Sequence, residues 1–238
     1  MHDLQLRPLA GWTIVFDLDG CLVDSAPDLV GALNALLVEE GHEPLPLGQG
    51  RLMVGRGARA LVAQGFETQG AAPDQAALDT LTARFLTLYA GRIALETRPY
   101  PGCLEALDLL AARGAVLVVC TNKRTDFSRA LLRDLAMDGR FAANVGGDAA
   151  PAPKPDPRHL QTAIEAAGGD PARAIMVGDT VFDAEAARAA GVPCVLVAFG
   201  YSQSPVADLP AAAVIETFDA LPDVIAKLAS CPEATAPL

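Results

Sequence analysis

Phe16-Asp17-Leu18-Asp19-Gly20-Cys21-Leu22-Val23-Asp24-Ser25 is the stretch on which the reading of this chain turns. It follows Trp12-Thr13-Ile14-Val15-Phe16, an apolar run with the length and β-branched content of a buried strand. Two carboxylates then stand two residues apart where the strand should end, and Gly20 signals that the chain is turning. Two neighbouring acids in a dry interior repel each other and resist ionising, so a solvated turn is the plainer alternative. A solvated turn would not hang on a core strand and then run on through Cys21-Leu22-Val23. The pair reads instead as metal-assisted chemistry, with one acid as nucleophile and the other as proton carrier.

The composition admits this. At 238 residues with 51% hydrophobic residues, the chain can bury a substantial core and is not a disordered segment. Eighteen basic against 29 acidic residues give a net charge of −11, which disfavours nucleic acid and anionic membranes as partners. An anionic small substrate is still allowed, because a cation in a cleft reverses the local field. The five cysteines are odd in number and form no CxxC pair, so a zinc site is not expected; Cys120 and Cys194 read as small buried hydrophobes. No signal sequence and no apolar run of spanning length are seen, and the expected location is cytoplasmic.

Along the chain, Ser25-Ala26-Pro27-Asp28 reads as a helix start, with Ser25 as cap and Asp28 completing the box. Helical character then continues without an obvious strand as far as Arg98. Residues 26–96 are therefore expected to form an inserted helical cap domain, hinged near Ser25 and Thr97, with 1–25 and 97–238 forming the core domain. From Pro99 the rhythm changes. Apolar strands at 116–120, 143–146, 174–177, 194–198 and 212–215 alternate with helices of about ten residues, the pattern of βαβ units and a parallel sheet. The expected fold is α/β, a Rossmann-like parallel sheet core with helices on both faces. Such sheets hold ligands beyond the carboxyl ends of their strands, where Asp17/Asp19, Thr121/Asn122 and Asp179/Asp183 all fall.

In that order, Asp17-Leu18-Asp19-Gly20, Thr121-Asn122, Lys154 and Gly178-Asp179-x-x-x-Asp183 resemble the motifs of the haloacid-dehalogenase superfamily of phosphohydrolases. The resemblance extends over nearly the whole chain and is most similar to phosphoglycolate phosphatases with a helical cap after the first motif. It implies Asp17 as the nucleophile that forms an aspartyl phosphate, and Asp19 as the acid and base. It also implies Mg²⁺ held by Asp17, Asp179 and the Asp19 backbone carbonyl. Thr121 and the Asn122 backbone would hold phosphate oxygens, Lys154 would offset charge on the transferring group, and Asp183 would orient Lys154 or metal-bound water. Dehalogenases lack an acid at the Asp19 position and phosphonatases have a small residue there, so phosphate esters are favoured.

The expected partner is a small phosphorylated metabolite such as 2-phosphoglycolate, with the chain as monomer or homodimer. Another small substrate, such as a sugar phosphate, and a phosphoglucomutase of the same superfamily are alternatives, and a non-catalytic binding module disagrees with the intact acids. Selection is expected from the cap, where Gly55-Arg56-Gly57 offers Arg56 to a substrate carboxylate. Lys123, Arg124 and Arg129 read as a solvated helix start, Asp24 as a hinge or capping residue, and Asp156 as a turn residue. His2, His42 and His159 are not read as ligands.

Overall fold

The computed structural model describes residues 9–230; His2, Cys231 and the tail after Ser230 lie outside these. The first strand, β1 (Thr13–Phe16), leads through the acidic turn to a two-residue strand, β2 (Val23–Asp24). Four helices follow: α1 (Ala26–Glu39), α2 (Leu47–Arg51), α3 (Ala58–Glu67) and α4 (Gln75–Ala90). The chain returns through β3 (Arg98–Pro99) and then alternates α5 (Cys103–Ala112), β4 (Val116–Thr121), α6 (Thr125–Asp134), β5 (Ala143–Gly146) and α7 (Pro157–Ala166). It closes with β6 (Ala174–Gly178), α8 (Val181–Ala190), β7 (Cys194–Val197), β8 (Ala213–Ile215) and α9 (Leu221–Ala229).

Six strands form one sheet in the order β5-β4-β1-β6-β7-β8, and every pairing is parallel. Side chains alternate across it with the period of two that a strand imposes. Ile14, Phe16, Leu117, Val119, Ile175 and Val177 enter one core, shared with Leu107, Leu110, Leu131 and Ile225 of the helices on that face. Val15, Val118, Cys120, Met176, Cys194 and Leu196 enter a second, closed by Leu160, Ala163 and Ile164 of α7 and by Ala184 and Ala187 of α8. Both faces are covered, which is why these strands read as unbroken apolar runs. The chain leaves β1 for β4 on one side and later crosses to β6 on the other, so the strand order switches at the carboxyl end of β1.

Between β2 and β3, α1, α3 and α4 pack around Leu33, Leu36, Leu61, Val62, Phe66, Leu81 and Phe85. The two strands that carry the chain into and out of this helical segment pair antiparallel, Val23 with Pro99 and Asp24 with Arg98. This ribbon was not expected, since two-residue strands have no periodicity to read. The expected capping box at Ser25 is also absent: Ser25 makes no side-chain cap bond. Asp28 instead turns back, fully buried, and accepts hydrogen bonds from the Glu96 and Thr97 N–H groups at 2.9 and 2.8 Å and from the Thr97 hydroxyl at 2.7 Å. Both crossings of the neck are thus tied to one carboxylate. Among the described residues no helix is long and apolar enough to cross a membrane, and the four cysteines there are free and buried.

Replacing Asp28 with Ala strands three donors in a buried neck. Asp28→Ala should cost about 2–4 kcal/mol of unfolding free energy, read as a lower urea midpoint at unchanged slope. A loss below 0.5 kcal/mol, the scale of an ordinary surface substitution, would mean that the neck is held elsewhere.

Candidate active site

Each acidic motif is delivered to the same edge by the end of a strand. Asp17 follows β1, and its N–H donates to the Val177 carbonyl of β6 at 2.9 Å. Asp179 follows β6, and Asp183 lies in the first turn of α8. Carboxylate oxygens of Asp17, Asp179 and Asp183 come within 4.8 Å of one another, and all three residues are buried. The backbone is shaped to allow this. Gly20 has φ +88°, and a Cβ there would run into the Asp179 carboxylate and the Tyr201 ring; one at Gly200 would meet Asp179 as well.

The charges are unevenly matched. Lys154 places its ammonium 2.9 Å from Asp17 and 2.6 Å from Asp183, with almost no solvent exposure. Asp183 has no oxygen to spare: Oδ1 takes Lys154, and Oδ2 accepts from the N–H groups of Asp179 and Thr180 and from the Thr180 hydroxyl. Asp179 is different. Its Oδ2 accepts from the Tyr201 N–H at 2.7 Å, while Oδ1 is buried with no partner among the described residues. An orphaned carboxylate oxygen beside a second carboxylate is a donor set that fits a hard divalent cation. Asp17 and Asp179 are therefore the side chains that could hold a metal, whereas Asp183 is taken up by Lys154 and backbone donors.

Without a cation, three carboxylates share one ammonium. Burial pushes the Asp17 carboxyl up to about 7 against the pull of Lys154, with Asp183 and Asp19 adding to the rise. Asp179 is held far above the carboxylate range by burial and by its two acidic neighbours. Burial would lower the Lys154 pKa, but Asp17 and Asp183 outweigh it and hold the ammonium well above the usual lysine value.

Asp19 belongs to a second, separate ion pair. Lys123 Nζ lies 2.9 and 3.0 Å from its two oxygens, and the Ser25 hydroxyl donates to Oδ1 at 2.6 Å. Lys123 is buried, correcting the expectation of a solvated helix start; Arg124 and Asp126 alone form the exposed pair there. The Lys123 ammonium also lies over the Tyr89 ring of α4, 4.7 Å from its centroid. Burial would lower its pKa, but Asp19 and Tyr89 hold it above the usual lysine value. Its place beside Thr121-Asn122, at the carboxyl end of a core strand, is the signal that could have found it.

Thr121 is buried at the end of β4 and lines the cleft with Asp17, Asp19 and Lys123. The Asn122 side chain works as a clip. Its Nδ2 donates to the carbonyls of Gly55 and Lys154, and its Oδ1 accepts from the Lys154 N–H at 2.8 Å. His159, neutral because burial and then Lys154 pull its pKa to about 4, accepts from the same N–H at 3.2 Å. Asp156 caps α7 as a turn residue should. Arg56 is not brought into the cleft: Gly55, Gly57 and Ala58 line it, while the Arg56 guanidinium is exposed and lies over the Phe182 ring at 5.8 Å. A loop residue between two left-handed glycines can point outward as readily as inward, and the aromatic face of Phe182 is the stronger attractor here. Asp24, expected as a hinge or capping residue, accepts from the Tyr201 hydroxyl at 2.7 Å and pairs with Arg51 at 2.8 Å.

A family model described as haloacid dehalogenase-like hydrolase matches residues 13–191. A phosphoglycolate phosphatase of Caulobacter vibrioides is 54% identical over 98% of this chain and 96% of its own, and one of Agrobacterium fabrum is 43% identical over 97% of both. Among solved structures, a predicted phosphoglycolate phosphatase from Haemophilus somnus superposes with a TM-score of 0.83 at 27% identity, covering 90% of this chain and 96% of that one.

Protons and a cation compete for Asp17 and Asp179. Since both carboxyls are raised, divalent-cation affinity should climb as pH rises through neutrality and the protons on them give way to the cation. Calorimetric titrations in two buffers of different ionisation enthalpy should show proton release on binding at pH 6.5. Binding independent of pH between 5.5 and 8 would place the cation elsewhere.

Proposed function

The chain belongs to the haloacid dehalogenase-like hydrolase family, and from that premise we propose that it hydrolyses 2-phosphoglycolate with Mg²⁺ through an aspartyl phosphate on Asp17. The observation that carries this reading is that two acids two residues apart sit in separate ion pairs. Asp17 faces Lys154 and the acid cluster, whereas Asp19 faces Lys123 and Ser25. Different surroundings let two carboxylates take different parts in one reaction.

Asp17 attacks phosphorus as the ester bond breaks, and Asp19, which must be protonated to enter this step, gives that proton to the departing glycolate oxygen. Asp19 then takes a proton from the water that attacks the aspartyl phosphate, which frees Asp17 and inorganic phosphate. The Thr121 hydroxyl holds a phosphate oxygen, and Lys154 offsets charge on the group in transfer. Ser25 and Lys123 fix the Asp19 carboxylate so that it need not search for the leaving oxygen. Mg²⁺, held by the Asp17 and Asp179 carboxylates and the Asp19 carbonyl, would reduce the repulsion between a carboxylate and a phosphate dianion. The share of sequence common with the Caulobacter and Agrobacterium phosphatases supports phosphoglycolate as substrate.

Turnover of phosphoglycolate, sugar phosphates and nucleotides with Mg²⁺ tests the substrate, and phosphoglycolate should give the highest kcat/KM. Asp17→Asn should fold and lose at least about 10³-fold in kcat, since an amide is no nucleophile and also weakens the cation site. Near-normal turnover by that variant would remove the covalent step. Asp19→Ala should slow phosphorylation by an alkyl phosphate roughly 10²–10⁴-fold and by a nitrophenyl phosphate far less, because a nitrophenolate leaves without a proton. Equal single-turnover losses on the two esters would take the acid role from Asp19.

A further inference from the structure

A two-carbon substrate restricts where its carboxylate can be read. In phosphoglycolate the carboxylate carbon is two bonds from the ester oxygen, which is the atom that Asp19 must protonate. Whatever recognises the carboxylate must therefore lie beside Asp19. Arg56, on the outer face against Phe182, does not. Arg124 lines the cleft, but its guanidinium is exposed and paired with Asp126 through two hydrogen bonds. Lys123 is the remaining cation among the residues lining the cleft, and it touches Asp19.

Two features make this position more than a structural ion pair. An ammonium has three N–H donors; the two Asp19 oxygens use at most two of them, so at least one is left over. Tyr89, only 1% exposed, also lines the cleft, and its buried hydroxyl makes no hydrogen bond of good geometry among the described residues. The Lys123 ammonium is the charge that this hydroxyl feels most and interacts with it directly, and Asp19 follows. A buried phenol without a partner is costly unless something fills the gap. The surrounding wall is largely apolar, built from Leu29, Val54, Leu61, Phe85 and Phe127; Thr121, Asn122 and the Asp126-paired Arg124 are the other polar side chains lining the cleft that can donate a hydrogen bond.

We propose that the Lys123 ammonium and the Tyr89 hydroxyl together form the carboxylate subsite of this enzyme. One comes from the core strand edge and the other from α4 of the helical segment, so a bound carboxylate ties the two parts of the molecule together. The subsite selects short phosphorylated acids: a longer chain would carry its acid past Lys123 into the apolar wall, and an uncharged group in place of the carboxylate would give the Tyr89 hydroxyl and the remaining Lys123 N–H no anion to bind.

The proposal rests on the substrate reading above, and ethyl phosphate separates the two. It has a comparably poor alkoxide leaving group and the same need for Asp19, but no carboxylate. Lys123→Met also disturbs Asp19, so it should slow both substrates; its kcat/KM loss on phosphoglycolate should exceed that on ethyl phosphate by roughly 10- to 100-fold. Tyr89→Phe keeps the ring and deletes only the hydroxyl, so it carries the test even if Lys123→Met fails to fold. It should raise KM for phosphoglycolate roughly 3- to 20-fold more than for ethyl phosphate, with kcat little affected by comparison. If the wild type does not prefer phosphoglycolate to ethyl phosphate, the substrate reading falls and the subsite with it. If the wild type has the preference and both variants retain it at the same ratio, the subsite alone is overturned, and Lys123 serves only to hold Asp19.

Discussion

An ammonium buried between two carboxylates sets the terms for everything around it. Lys154 lies against Asp17 and Asp183 where the sheet switches direction, and Asp179 adds a third acid. One positive charge against three negative ones, out of water, leaves an excess that the protein alone does not cancel. The surroundings do what they can. Asp183 is saturated with donors, Asn122 and His159 hold the Lys154 backbone, and glycines let the acid-bearing turns approach closely. The imbalance that remains is what makes the place suited to a divalent cation and a phosphate brought in together.

The second ion pair has a different character. Lys123 and Asp19 pair with each other, and this half of the cleft is otherwise largely apolar, walled by side chains from α1, α3 and α4. Charged groups gather at one end of the cleft, on the core, and apolar side chains at the other, on the helical segment.

Much of this could be read from the chain because it depends on local pattern. The parallel sheet follows from apolar runs separated by helices, and Asp17, Thr121 and Asp179 were visible as polar residues at the ends of those runs. Lys123 was not, since a lysine next to an arginine at a helix start looks solvated until Asp19, 104 positions away, and the Tyr89 ring arrive to bury it. Ser25 and Asp28 fit a capping rule, but stronger distant partners, Asp19 and the Thr97 neck, claimed their oxygens. Arg56 shows the opposite failure: the flexible loop was legible, the direction of its side chain was not.

Tyr201 joins two places that have so far been treated apart. Its N–H holds Asp179 at 2.7 Å, while its hydroxyl donates to Asp24 and accepts from the Ala26 N–H at 3.0 Å, with Arg51 of α2 lying over the ring. A single residue thus links Asp179, through its backbone, to the root of the helical segment, through its ring and hydroxyl. The position of Asp179 and the position of the helical segment at Asp24 and Ala26 are therefore fixed by one residue, and a substitution of Tyr201 would disturb both at once.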